Sequence, residues 1–164
     1  MIIHDRRKRI CARALAVATL TLSLPRADAQ AFVTGLQAPQ RIVFTPAGNL
    51  LVSEGGTMEP NSGRVSLVDR SGNRRSLLEG LPSGLAHFTN PFGPTGMALD
   101  GRTLYLLIGE GDVMAGIPPN YGINLNGPSS PIFSSILKFQ FSREPDEIQA
   151  AFRLTSVSHW ALLD

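Results

Sequence analysis

Carboxylates follow apolar runs at two places in the chain. Glu54-Gly55-Gly56 closes the run Leu50-Leu51-Val52-Ser53, and Gly109-Glu110-Gly111-Asp112 follows Leu104-Tyr105-Leu106-Leu107-Ile108. Carboxylate and amide oxygens are hard donors of the kind Ca²⁺ takes. Glu54, Asn90, Glu110 and Asp112 are therefore a candidate metal or polar-ligand site, and the competing reading is that they are loop side chains in solvent. The histidines beyond residue 29 are His87 and His159, and the one tryptophan is Trp160. Neither histidine has a partner at metal-ligand spacing, and no Gly-x-Ser-x-Gly elbow offers a nucleophilic serine. No catalytic group can be named on these grounds. Gly109-Glu110-Gly111 begins like a dinucleotide fingerprint, but Met114 stands where the third glycine belongs and no helical pattern follows, so that reading is rejected. Arg64, Asp69, Arg74 and Arg75 read either as a charged strip or as the solvated face of alternating strands.

The elements that would position these groups come in two similar units. In the first, Gly35-Leu36 leads to Pro39-Gln40-Arg41-Ile42-Val43-Phe44, a Pro46-Ala47-Gly48-Asn49 turn, the run ending at Glu54, and Gly63-Arg64-Val65-Ser66-Leu67-Val68-Asp69. In the second, Gly80-Leu81 leads through a longer loop to Pro94-Thr95-Gly96-Met97-Ala98-Leu99, an Asp100-Gly101 turn, the run ending at Ile108, and Ser135-Ile136-Leu137-Lys138-Phe139-Gln140-Phe141. Short alternating runs bounded by glycine and proline are strands. Gly48-Asn49, Ser71-Gly72-Asn73 and Asp100-Gly101 supply the turn residues. Strands are expected near 41–45, 50–54, 64–69 and 74–79, then near 95–99, 103–108 and 134–141. Residues 142–152 read as a short helix and 153–158 as an outer strand of the second unit. The stretch 109–133 is long, rich in Gly, Pro and Asn, and without periodicity. Alternation selects Ile42, Phe44, Leu50, Val52, Val65, Leu67, Met97, Leu99, Leu104, Leu106, Ile136 and Leu137 as the main core.

The start of the chain stands apart. Arg6-Arg7-Lys8-Arg9, an apolar run over 14–24 and the small-x-small site Ala27-Asp28-Ala29 read as a cleavable signal peptide over 1–29. The apolar run is much shorter than the roughly twenty residues of a membrane span. Arg6-Arg7 raises a twin-arginine route, against which Arg9 stands in a place that favours an apolar residue. The expected location is periplasmic or extracellular, with no membrane attachment after cleavage. Residues 1–29 hold six of the 15 Lys+Arg and two of the 13 Asp+Glu, so the remainder carries nine positive and eleven negative charges, a net of −2. Nucleic-acid binding then lacks its basic footprint. Cys11, the single cysteine, leaves with the signal, so the exported part, 30–164, must be held by burial and strand pairing without disulfides.

Sheets of this kind, repeated at this period, are the units of a β-propeller. The run Gly35-Leu36 through Pro39, Pro46-x-Gly48-Asn49-Leu50, Val52-Ser53-Glu54-Gly55-Gly56, Gly63-Arg64-Val65, then Gly93-Pro94-Thr95-Gly96 and Thr103-Leu104-Tyr105 through Ile108-Gly109 resembles the secreted propeller proteins named after scytonemin biosynthesis, D/E type. These fall in the six-bladed class with NHL-repeat proteins and gluconolactonases. The resemblance spans residues 32 to about 141. It implies an all-β fold of four-stranded blades, with blade one over about 36–81 and blade two over about 93–158, about two of six. On that basis 31–34 would be the outer strand of a closing blade. The chain would be a fragment of a longer propeller, or would associate with copies of itself.

The resemblance implies two functions. One is a secreted binding or scaffold domain that engages a small molecule or protein through rim loops 82–94 and 109–133. The other is an enzyme, either a lactonase-like hydrolase in which channel-bound Ca²⁺, held by acidic and amide side chains, polarises a carbonyl, or a quinone-dependent sugar dehydrogenase. Absence of an acid/base dyad or nucleophile favours the first.

Overall fold

The computed structural model describes residues 28–85, 90–116, 120 and 122–163. The chain divides into two compact units, Met1–Gln30 and Ala31–Asp164. The signal-peptide reading falls almost wholly outside the described residues, as do Cys11 and His87. All the described strands and helical turns belong to the second unit.

That unit is mostly antiparallel β. Strands β1 (Pro39–Phe44), β2 (Leu50–Glu54), β3 (Gly63–Val68) and β4 (Arg74–Leu81) pair in sequence order as a meander. After two short pairing strands, β5 (Gly84–Leu85) and β6 (Pro91–Phe92), come β7 (Pro94–Asp100) and β8 (Thr103–Ile108). A small hairpin, β9 (Met114–Ala115) with β10 (Gly122–Ile123), interrupts the chain before β11 (Ile136–Gln140) completes a second sheet in the order β11-β8-β7. The expected strand positions hold to within two residues in both units.

The two sheets share one register. Val43 opposes Leu51 as Ala98 opposes Tyr105, and Leu51 opposes Leu67 as Tyr105 opposes Lys138. Both first strands shift register just after their opening proline, between Pro39 and Arg41 and between Pro94 and Gly96. Ile42, Phe44, Ser53, Glu54 and Val65 thus correspond to Met97, Leu99, Leu107, Ile108 and Ile136. One core lies between the sheets: Leu51, Val65, Leu67, Leu78 and Leu81 pack with Met97, Leu104, Leu106, Ile108 and Leu137, and β7 lies across β1, β2 and β3.

The register corrects the expected phase of three core positions. Ile42, Phe44 and Ile136 are 56%, 69% and 69% exposed, whereas Leu51 is fully buried and Val43 packs on the core. β1 and β11 are edge strands, so alternation gives two candidate faces and only the second sheet decides which is covered.

The C-terminal expectations also change. Residues 142–152 form one 3₁₀ turn, Pro145–Glu147, not a helix. That turn is held to the first sheet: Asp146 accepts from Thr45 Oγ1 (2.8 Å) and Asn49 Nδ2 (2.7 Å), and Arg75 donates to the carbonyls of Pro145 and Asp146. Strand β12 (Phe152–Arg153) then pairs parallel with β4 of the first sheet, so no outer strand is added to the second. Phe152 stacks on Phe141 at 5.9 Å, and Gly80, at φ +74°, leaves room for the Leu154 carbonyl, which any Cβ would strike. Helix α1 (Ser156–Ala161) follows, capped by Thr155, whose side chain accepts from Ser158 N–H. Residues 31–34 form no strand.

Candidate functional site

Tight turns and long loops segregate to opposite ends of the sheets. At one end, residues 45–49, 69–73 and 100–102 close hairpins, with Asp69 accepting from the backbone of Ser71 and Asn73. Hydrogen bonds from Asn73 outweigh slight desolvation and hold the Asp69 carboxyl below its ordinary value. At the other end, the described residues of the segments after β2, β4 and β8 gather, namely 55–62, 82–85, 90–93, 109–116 and 122–135. The packing there is backbone against backbone. A Cβ on Gly84 would come within 2.7 Å of the Asp112 N–H nitrogen, so the 82–93 segment can lie on the 109–135 segment only with glycine at this place.

All four carboxylate or amide candidates lie at this end, but their roles differ. Glu54 is fully buried within β2. Its Oε1 accepts from Ser66 Oγ (2.5 Å), and its Oε2 accepts from Gln37 N–H (2.5 Å) and Arg64 Nη2 (2.7 Å), with Arg74 Nη1 at 3.8 Å. Burial pushes this carboxyl up. The bonds from Arg64, Ser66 and Gln37, with the Arg64 charge, outweigh that and leave it below its ordinary value. Both oxygens are thus engaged by the chain itself, tying residues 35–37 and β3 to β2. The shared register also places Ile108, not Glu110, at the position equivalent to Glu54. Glu110 lies two residues further on, half-buried in the loop.

Asp112 works within its own loop. Its two carboxylate oxygens accept from Ser129 N–H at 2.9 and 3.1 Å, and its carbonyl accepts from Asn124 Nδ2. Asn90 is exposed at the entry to β6. Among the described residues, no three His, Cys, Asp or Glu side chains come together as a metal-holding group.

Compared with protein-family models, curated proteins and solved structures, the chain matches none. The reading of its site rests on its own geometry.

Two features of this end were not visible in the sequence. His159, on α1, is fully buried. Its Nε2 lies 2.8 Å from the Gly80 carbonyl and its Nδ1 2.9 Å from Ser130 Oγ. A carbonyl only accepts, so Nε2 carries a proton, and in the neutral ring Nδ1 accepts from the Ser130 hydroxyl. This one side chain joins α1, the end of β4 and the 109–135 segment. Ser130 and His159 are 29 residues apart with no shared motif, so no spacing rule could pair them. The second feature is an open cleft of about 580 Å³ lined by residues 61–64, 79–80 and 153–157. It exists because β12 joins the first sheet. The ion pair of Arg153 with Glu79 lies on its wall, and Asn61 Nδ2 donates to Ser156 Oγ (2.8 Å) across it.

Proposed function

We propose that this chain is an exported, propeller-type binding or scaffold domain that engages a small molecule or protein through the loops at one end of its stacked sheets. The observation that carries the reading is the asymmetry of the connections. The tight turns that join β1 to β2, β3 to β4 and β7 to β8 lie at one end, and the longer connections, as far as they are described (55–62, 82–85, 90–93, 109–116 and 122–135), converge at the other. Loops held by a rigid β scaffold are where recognition concentrates, because a varied loop there does not disturb the core. Two sheets of equal register stacked face to face support the propeller-type arrangement.

A Ca²⁺-dependent lactonase-type site fits the geometry less well. Glu54 already accepts from three donors of its own chain, and Asp112 braces Ser129. A carboxylate so engaged would have to surrender these bonds to take a metal.

A thermal-shift panel of sugars, sugar lactones and Ca²⁺, followed by backbone chemical-shift mapping, tests the proposal. A ligand that binds the folded state raises the melting temperature, and its shifts are expected within 82–94 and 109–133. Shifts centred on the 45–49 and 69–73 turns would contradict the assignment of the binding end. Turnover of a lactone would replace it with the hydrolase reading. Export is tested by N-terminal sequencing of secreted material, which is expected to begin at Gln30.

A further inference from the structure

Corresponding positions in the two sheets differ sharply in exposure. Leu51 and Val65 are fully buried because the second sheet covers them, whereas their counterparts Tyr105 and Ile136 are 40% and 69% exposed. On the other face the difference runs the opposite way: Met97 is buried beneath the first sheet, and its counterpart Ile42 is exposed. The chain therefore holds one sheet-to-sheet contact complete and leaves two surfaces of a second uncovered, although on the face that carries Ile42 the neighbouring Val52, Ser66 and Val68 are already buried. One surface is the outer face of β7-β8-β11, with Leu107 beside Tyr105 and Ile136. The other is the β1 surface that carries Ile42 and Phe44.

We infer that a second copy of this chain covers that outer face, head to tail, with its β1 lying across β7, β8 and β11. The complete contact supplies the template. Within one chain, β7 crosses β1, β2 and β3. Shifting that arrangement by one sheet sets β1 of the next copy over β7, β8 and β11, and β1 is the strand whose Ile42 and Phe44 lack cover. The identical register, including the shift after the opening proline, means that the incoming strand has the shape of the one it imitates. Lys138 replaces Leu67 on the edge strand β11, where its stem can lie on the apolar surface while the ammonium reaches water. The contact is heterologous, so each copy offers one half to each neighbour. It rests on the propeller-type stacking proposed above and adds the partner.

Light scattering coupled to size exclusion, run over a range of concentrations, tests it with two variants, Phe44→Asp and Leu107→Asp. The wild-type chain is expected to show a mass at least twice that of one 17.6 kDa chain, and each variant alone to run as a single chain. Mixing the two variants restores one intact contact and is expected to give a species of two chains and no larger. That mixture also shows that both variants are folded. A wild-type chain that stays single at high micromolar concentration would overturn the inference. So would association that survives Phe44→Asp, since that would mean the β7-β8-β11 face pairs with itself. Neither result bears on ligand binding at the loop end, which has its own test.

Discussion

Glu54 is the residue on which sequence and structure diverge most usefully. Its position at the end of an apolar strand suggested a ligand, and its surroundings make it a fastener. Replacing it by Gln keeps the shape but removes the charge that Arg64 meets inside the sheet. The expected cost is about 1–3 kcal/mol, measured by denaturant unfolding. Because the folded carboxyl lies below its ordinary value, its contribution is present in full above the unfolded pKa and is lost as pH falls through the folded one. Wild-type stability should therefore decline from about pH 4.5 downward, and Glu54→Gln should decline less over the same window. Ca²⁺ titrations of the two proteins are expected to coincide, and a metal response lost in Glu54→Gln would return Glu54 to the ligand role. His159 is the second fastener. His159→Ala leaves the Gly80 carbonyl and the Ser130 hydroxyl without their partner, and hydrogen exchange should quicken in α1 and β12 before it does in β2 or β8.

Among the elements, strands and turns were legible because their signals are local: proline and glycine at the ends, Asp100-Gly101 at a hairpin, alternation between. The face each edge strand buries was not local information. β1 carries apolar side chains at Ile42, Val43 and Phe44, so both phases read as a core, and the second sheet selects Val43 with Leu51. Leu51→Ala is expected to cost roughly 2–5 kcal/mol, as for a buried leucine whose cavity cannot collapse. Phe44→Ala should cost about 0.5 kcal/mol or less in the single chain, as for an exposed side chain. Equal losses in chemical unfolding would mean that β1 is turned over. The C-terminal segment misled for a different reason. Its Pro-Asp-Glu start and spaced apolar residues satisfy a helix template, yet Asp146 and Arg75 tie the first turn to the hairpin end and Phe152 continues as a strand on β4. Of the candidate site, the loop end was legible and the roles were not, since Glu54 and Asp112 find their partners 10 to 17 residues away.

At the scale of the whole molecule, β1-β2-β3 and β7-β8-β11 repeat one register in different surroundings, one face covered within the chain and its counterpart open. Thiol labelling reads this directly, because Cys11 is the single cysteine and Cys11→Ser gives a blank background. Four variants place a cysteine at Leu51, Val65, Tyr105 or Ile136, two positions of the first sheet and their two counterparts in the second. At dilution, the Tyr105→Cys and Ile136→Cys chains should label at nearly the rate of an unfolded peptide. The Leu51→Cys and Val65→Cys chains should be slowed by the opening equilibrium of the core. Raising the protein concentration should slow the first pair and leave the second unchanged, as a second copy covers the open face. Equal rates at corresponding positions, or protection of Tyr105→Cys in the single chain, would contradict the stacked-sheet account.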